Sequence, residues 1–330
     1  MKPLITAVGQ AFMECGRGRE KVTMKICFLG SGAMGSAIGG ILAESGQDVL
    51  LIDRWKEHVD ALTVGGLKLT EKSGSRIIKV DATSDLHTVD QADLIVLLVK
   101  SYHTAETLKE VQSFIRGKTP VLSLQNGLGN EETIAEILGN DQVLGGVTHS
   151  GSVLLGPGEV SYGRGLTCIG EINGKVTDRV KDIVRIFNQA GLETEAADNV
   201  IAKIWDKLLV NVAVSPTSAI TGLTHGDLEQ VQVLKATAFE AVEEAVRVAA
   251  AGGVKLTLQD PAEAWASAME GLSPGHKSSM LKDVEQGKRT EIDVINGAVV
   301  RWGEKFGVPT PVNKTLVSCI KGIEYRQSNT

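Results

Sequence analysis

The chain is expected to fold as an α/β domain built on a parallel sheet, followed by an all-α domain. Three observations carry this expectation. Apolar runs of strand length alternate with helical patterns in the first half. A glycine motif, GSGAMG, joins the first such strand to the first helix, and beyond about Asn199 the pattern is helical to the end. Strands that read as unbroken apolar runs belong in a sheet covered by helices on both faces.

Residues 1–23 lack the apolar segment and small-residue cleavage site of a secretory signal. They stand ahead of Met24, which directly precedes the first strong strand, and are read as a disordered leader or a misassigned start. From Lys25, KICFLG is a buried strand, AMGSAIGGILAES a helix with small residues on one face, and QDVLLIDR the next strand. ADLIVLLVK, a helix over 104–116, PVLSLQN and a helix over 131–138 continue the alternation. Residues 143–172, rich in glycine and β-formers, predict a hairpin excursion that extends the sheet. A helix near 176–190 and the short strand LETEAAD complete a domain spanning 24–198, and 199–330 form the helical domain.

With 330 residues, 42% of them hydrophobic and 22% charged, the chain is long enough for two domains with real cores. A net charge of -6 in mixed segments offers no track for nucleic acid and no anionic-membrane surface. Its apolar runs are too short to span a bilayer. Cys15, Cys27, Cys168 and Cys319 are widely spaced and no histidines cluster, so neither a disulfide framework nor a metal site is expected. A reducing cytoplasm suits that usage.

GSGAMG is a G-x-G-x-x-G between strand and helix, with Asp53 ending the second strand. This is the pattern of a Rossmann-type dinucleotide-binding domain: Gly30 permits the turn, Gly32 lets a pyrophosphate approach, and Gly35 brings helix onto strand. Ser31, Ala33 and Met34 complete the expected cofactor loop. Asp53 favours the ribose hydroxyl of NAD, whereas Arg54 beside it favours the 2′-phosphate of NADP. Lys100 adds positive charge at the carboxyl edge of the sheet, and Asn126, in SLQNGLGNEE, ends a strand there.

In AKIWDKLLVNVAVSP, apolar nearly all round, Lys203, Lys207, Asn211 and Ser215 follow one another at i, i+4 spacing. A lysine buried along such a seam is costly without a partner or a task. In TEIDVINGAVVRW, a helix counted from Thr290 places Glu291 in the apolar stripe of Ile295, Ala298, Val299 and Trp302. Thr290 and Asp293 have the spacing of a capping box. A buried carboxylate facing Lys207 and Asn211 would offset the desolvation of both charges.

Taken together, GSGAMG, VKSYHT, LQNGLGNEE, GGVTHSG, IWDKLLVNVAVSP, HKSSMLKDVEQGKRTEID and GVPTP resemble the ketopantoate reductase family from Met24 to about the C-terminus. The resemblance implies a helical domain like the C-terminal domain of 6-phosphogluconate dehydrogenase. It also implies NADPH-dependent reduction of 2-dehydropantoate to pantoate, towards coenzyme A. Lys207 is then the proton donor, and Glu291 positions it and contacts the nicotinamide end. Asn126 touches cofactor and substrate, Gly151 lies against the cofactor, and Asn211, Ser215 and Ser279 hold the substrate. His225 and His276 stand where the family shows asparagines, and Ser215 replaces another. Two alternatives stay open: a sister 2-oxo acid reductase or 2-hydroxyacid dehydrogenase acting on another substrate, with NAD or NADP, and a non-catalytic dinucleotide-binding regulator. The expected partner is a small 2-oxo acid, with a homodimer compatible.

Overall fold

The computed structural model describes residues 23–88, 92–113, 115, 117 and 119–329, so the leader expected over 1–23 lies, apart from Thr23, outside the described residues. The N-terminal half runs β1 (Lys25–Leu29), α1 (Ala33–Glu44), β2 (Asp48–Ile52), α2 (Lys56–Gly65), β3 (Leu67–Glu71), β4 (Gly74–Ile78), β5 (Asp81–Thr83) and β6 (Leu94–Leu97). It continues with α3 (Thr104–Val111), β7 (Val121–Ser123), α4 (Asn130–Leu138), β8 (Val143–Thr148), β9 (Gly151–Gly156), β10 (Glu159–Gly163), β11 (Thr167–Glu171), α5 (Asp178–Gln189) and β12 (Thr194–Ala196).

Eight strands form one sheet in the order β12-β11-β8-β7-β6-β1-β2-β5. Its pairs are parallel except β8 with β11. Cys27 in β1 pairs with Leu50 on one side and Ile95 on the other; β1 and β6 are buried through their middles, and Leu50 in β2 is partly buried. Helices α1 and α5 pack one face, α3 and α4 the other. The doubly covered parallel sheet expected from unbroken apolar strands is therefore present.

The hairpin over 143–172 is placed differently. β8 and β11 extend the main sheet, but β9 and β10 join β3 and β4 in a second sheet of order β4-β3-β10-β9. The small residues of α1 explain how it fits. α1 lies between the two sheets: a Cβ on Gly39 would meet Leu51 of the large sheet, and one on Gly40 would collide with Leu67 of the small one. The helix expected to reach Arg116 ends at Val111; Ile115 N–H still donates to the Val111 carbonyl at 3.1 Å, and Arg116 lies outside the described residues.

The second half is helical: α6 (Val200–Thr221), α7 (His225–Gln230), α8 (Gln232–Ala251), α9 (Pro261–Met269), α10 (Ser279–Glu285), α11 (Asn296–Phe306) and α12 (Pro311–Ser328). α6 is its axis, with Trp205, Leu208, Leu209 and Val212 buried against the helices around it. That many apolar side chains, each contributing about 1.5–3 kcal/mol on burial, let α6 carry a polar seam without losing its place.

Candidate active site

β1 ends at the carboxyl edge of the large sheet, where GSGAMG turns into α1. Gly30 has a φ of 95°, and a Cβ on it would lie 2.5 Å from the Val99 nitrogen. At Gly35 a Cβ would collide with the Gly30 carbonyl oxygen, so glycine there seats the helix on the strand. A Cβ at Gly32 meets nothing within 4 Å, since that position opens onto a cleft. α1 starts without a side-chain cap and without an acidic residue in its first turn, leaving its first N–H groups to an anion. These features fit a dinucleotide pyrophosphate. Ser31 is the exception among the expected loop residues: its side chain is fully buried, and its carbonyl accepts from Ser36 Oγ at 2.6 Å, so it shapes the turn and does not line the cleft.

The cleft, about 1490 Å³, runs between the sheet edge and the helical domain. Gly30, Gly32, Ala33, Met34, Gly35, Asp53, Arg54, Lys100, Asn126 and Gly151 line it from the sheet side. Lys207, Asn211, Ser215, Ser279 and Glu291 line it from the helical side. At one end Asp53 Oδ1 accepts from Trp55 N–H at 3.0 Å. Arg54 lies between two carboxylates of α3, 3.1 Å from Glu106 and 2.8 Å from Glu110. Trp55, 38% exposed beside Arg54, also lines the cleft and is absent from the sequence expectations; its signal is an aromatic directly after the Asp-Arg pair.

At the other end α6 directs its seam into the cleft. Lys207, Asn211 and Ser215 face it, whereas Lys203 is not part of the wall. Burial brings the Lys207 ammonium down to about 8, against the attraction of Glu291, which favours the charged form. Glu291 is 8% exposed and accepts from Ser101 N–H at 3.1 Å.

Its setting differs from the helix start expected at Thr290, because Glu291 sits in a bend, residues 292–295 form a turn and α11 begins at Asn296. The capping box does not form. Thr290 instead donates its N–H and hydroxyl to Glu324 at 2.8 and 2.7 Å, and Asp293 pairs with Lys321 at 2.6 Å and Arg289 at 3.1 Å. Thr290 Oγ1 still accepts from Ile292 N–H at 3.2 Å, but the partners on α12 draw Asp293 and the Thr290 donors away from a reciprocal box, and the resulting turn points Glu291 at the cleft.

Lys100, expected against a cofactor, has its Nζ 2.7 Å from Asp283 and 3.6 Å from Glu291. Asn126 lines the cleft while its carbonyl accepts from Asn130 Nδ2 at 3.1 Å, which fastens the Asn-Gly loop to α4. His225 and His276 meet edge to face, their ring centroids 4.9 Å apart, on the helical wall. Burial and the neighbouring His276 pull His225 down to about 4, so its imidazole is neutral at neutral pH. His149 and Lys282 also line the cleft; they lie within GGVTHSG and HKSSMLKDVEQGKRTEID but are absent from the expected site residues.

Among the described residues no group of three or more His, Cys, Asp or Glu could hold a metal ion. An edge that offers glycine amides, opposite a half-buried lysine and a buried carboxylate, suits a dinucleotide reduction with proton transfer. Family models agree with that geometry: "Ketopantoate reductase PanE/ApbA" matches residues 26–174, and "Ketopantoate reductase PanE/ApbA C terminal" matches residues 199–324. The chain belongs to the ketopantoate reductase family. Within it, the chain is 38% identical over 302 residues to the 2-dehydropantoate 2-reductase of Pyrococcus horikoshii, covering 91% of this chain and 98% of that one. A PanE/ApbA family ketopantoate reductase from Ralstonia eutropha JMP134 superposes with a TM-score of 0.85 at 37% identity, covering 92% of this chain and 100% of the other. D-mandelate dehydrogenase, solved with NADH and anilino(oxo)acetate, superposes with a TM-score of 0.86 at 30% identity over the same shares. Ketopantoate reductase membership thus extends across both walls of the cleft.

Proposed function

We propose that this protein reduces 2-dehydropantoate to pantoate with NADPH, a step towards pantothenate and coenzyme A. The observation that carries the proposal is Lys207, half-buried in the cleft wall, with its proton affinity lowered to about 8 by desolvation and Glu291 within electrostatic reach. Gly32 and the N-terminus of α1 hold the pyrophosphate, Asp53 and Arg54 the adenosine ribose, and Asn126, Gly151 and Glu291 the nicotinamide end. When bound, the reduced nicotinamide supplies a hydride to the keto carbon. Lys207 gives its proton to the keto oxygen, an acid with proton affinity near the working pH being the best match for that transfer. Asn211, Ser215 and Ser279 hold the carboxylate and hydroxyl groups of the substrate, so that the keto oxygen stays within reach of Lys207.

For NADPH, Arg54 turns from Glu106 and Glu110 onto the 2′-phosphate. Ion pairs half exposed to water are worth about 0–1 kcal/mol each, so the exchange costs little. Three described cysteines, all free, suit a reducing cytoplasm. No described helix is long and apolar enough to cross a membrane.

The test is the initial rate of NADPH and NADH oxidation with 2-dehydropantoate beside a panel of branched and aromatic 2-oxo acids. The proposal expects 2-dehydropantoate with NADPH to lead. Preference for another acid would transfer the assignment to that acid and make His225 and His276 its selectors. Absence of turnover with every acid, despite tight dinucleotide binding, would remove the reductase assignment.

A further inference from the structure

Lys100 stands where the two domains meet. It follows β6 in the sheet domain, yet its Nζ lies 2.7 Å from Asp283 Oδ2 and 3.6 Å from Glu291 Oε2, both in the helical domain. The next two residues grip the same turn. Ser101 N–H donates to Glu291 Oε1 at 3.1 Å. Tyr102 donates its hydroxyl to the Arg289 carbonyl at 3.3 Å, and the Arg289 guanidinium lies over its ring at 4.7 Å. Three consecutive residues of one domain therefore hold the segment of the other that carries Glu291.

An acid that must release its proton is poorly served by an undiluted carboxylate, because the carboxylate tightens the ammonium's hold on that proton. We propose that Lys100 is a positioning residue: it fixes the direction of Glu291 across the domain boundary and, shared with Asp283, offsets the negative charge that Glu291 presents to Lys207. The proposal rests on Lys207 as the proton donor and assigns Lys100 no contact with the reacting atoms. Lys100 itself stays charged, since Glu291 and Asp283 together outweigh its burial. Burial raises Asp283, and the adjacent Lys100 opposes that rise.

The other charged or titratable groups around Lys207 come from several elements. His149 lies in the loop after β8, and Lys203 one turn back on α6. Lys282 belongs to α10, Glu270 follows α9, and His225 and His276 lie on the same helical wall. None of these pairs with Lys100 as Asp283 does, so substitutions at Lys100 and Asp283 change the coupling while those groups stay in place.

The experiment follows the titration of Lys207 directly, by the pH dependence of its acylation in the full-length, ligand-free protein, read by mass spectrometry. Lys100→Met removes a cation, so the Lys207 midpoint is expected to rise by about one pH unit, the effect of one partly screened charge nearby. Asp283→Asn leaves Lys100 to Glu291 alone and is expected to lower the midpoint. Lys100→Arg, which keeps the charge, is expected to hold it near the wild-type value, and it remains informative if Lys100→Met fails to fold. Midpoints that stay put in both variants, or that move in the same direction, overturn the proposal. The pH profile of 2-oxo acid reduction is recorded in parallel. A wild-type protein that reduces no 2-oxo acid, yet shows the opposed shifts, would support the coupling and overturn only the reaction assigned to it.

Discussion

Lys207 carries the chemistry through a single physical circumstance, desolvation of its ammonium in the cleft wall. Its ammonium is the donating form in reduction, and its midpoint is lowered to about 8. The sign follows: reduction is at full rate below that pH and declines as pH rises through it, while oxidation of the 2-hydroxy acid gains over the same interval. A kcat profile between pH 6 and 10, with a descending limb near 8, is the expected result. At the opposite end of the cleft, Arg54→Ala is expected to weaken NADPH about tenfold or more and to spare NADH, since only the 2′-phosphate needs the guanidinium. Dinucleotide titration by fluorescence decides it; equal losses on both cofactors would deny Arg54 that role. The lysine seam was legible because i, i+4 spacing puts Lys207, Asn211 and Ser215 on one side of a helix. The turn around Glu291 was not, because Thr290 is claimed by Glu324, 34 residues away, where the local pattern offers a capping box.

Elements divide into those that hold the cofactor loop and those that hold the fold. Gly32 and Gly35 separate the two effects. Gly32 has φ -61° and ψ -160°, a conformation open to alanine, and a Cβ there would project into open space. Gly32→Ala is therefore expected to melt like wild type while losing dinucleotide affinity. Gly35→Ala would drive a methyl into the Gly30 carbonyl and is expected to lose both stability and affinity. Calorimetry beside a binding titration distinguishes the pair, and a Gly32→Ala protein with wild-type affinity would refute the loop's assignment. In the helical domain, Glu244 is buried on α8 and accepts from Val312 and Asn313 N–H at 2.9 and 3.0 Å, capping α12. Glu244→Ala strands those donors and should cost about 2–5 kcal/mol in urea unfolding. Strands β1, β2 and β6 were legible as unbroken apolar runs. The small sheet was not, because β3 and β10 meet across about 90 residues and their pairing has no local signature.

At the scale of the molecule, the cleft exists because α6 and the turn before α11 are laid across the carboxyl edge of a doubly covered sheet. Alternation of strands and helices, then helices alone, made both architectures legible. The way one sits on the other was not, since it depends on contacts such as Lys100 with Asp283 and Ser101 with Glu291, about 180–190 residues apart. Those contacts bring an anion-binding helix start and a desolvated acid to one cleft, which neither domain builds alone. The measurement that tests this most directly is 2-dehydropantoate-dependent NADPH oxidation by wild type and Lys207→Ala, with NADPH affinity determined on the same samples. Wild-type turnover that drops by about 10²–10⁴ in the variant, at unchanged NADPH affinity, is the predicted result. Equal turnover by the two proteins would contradict it.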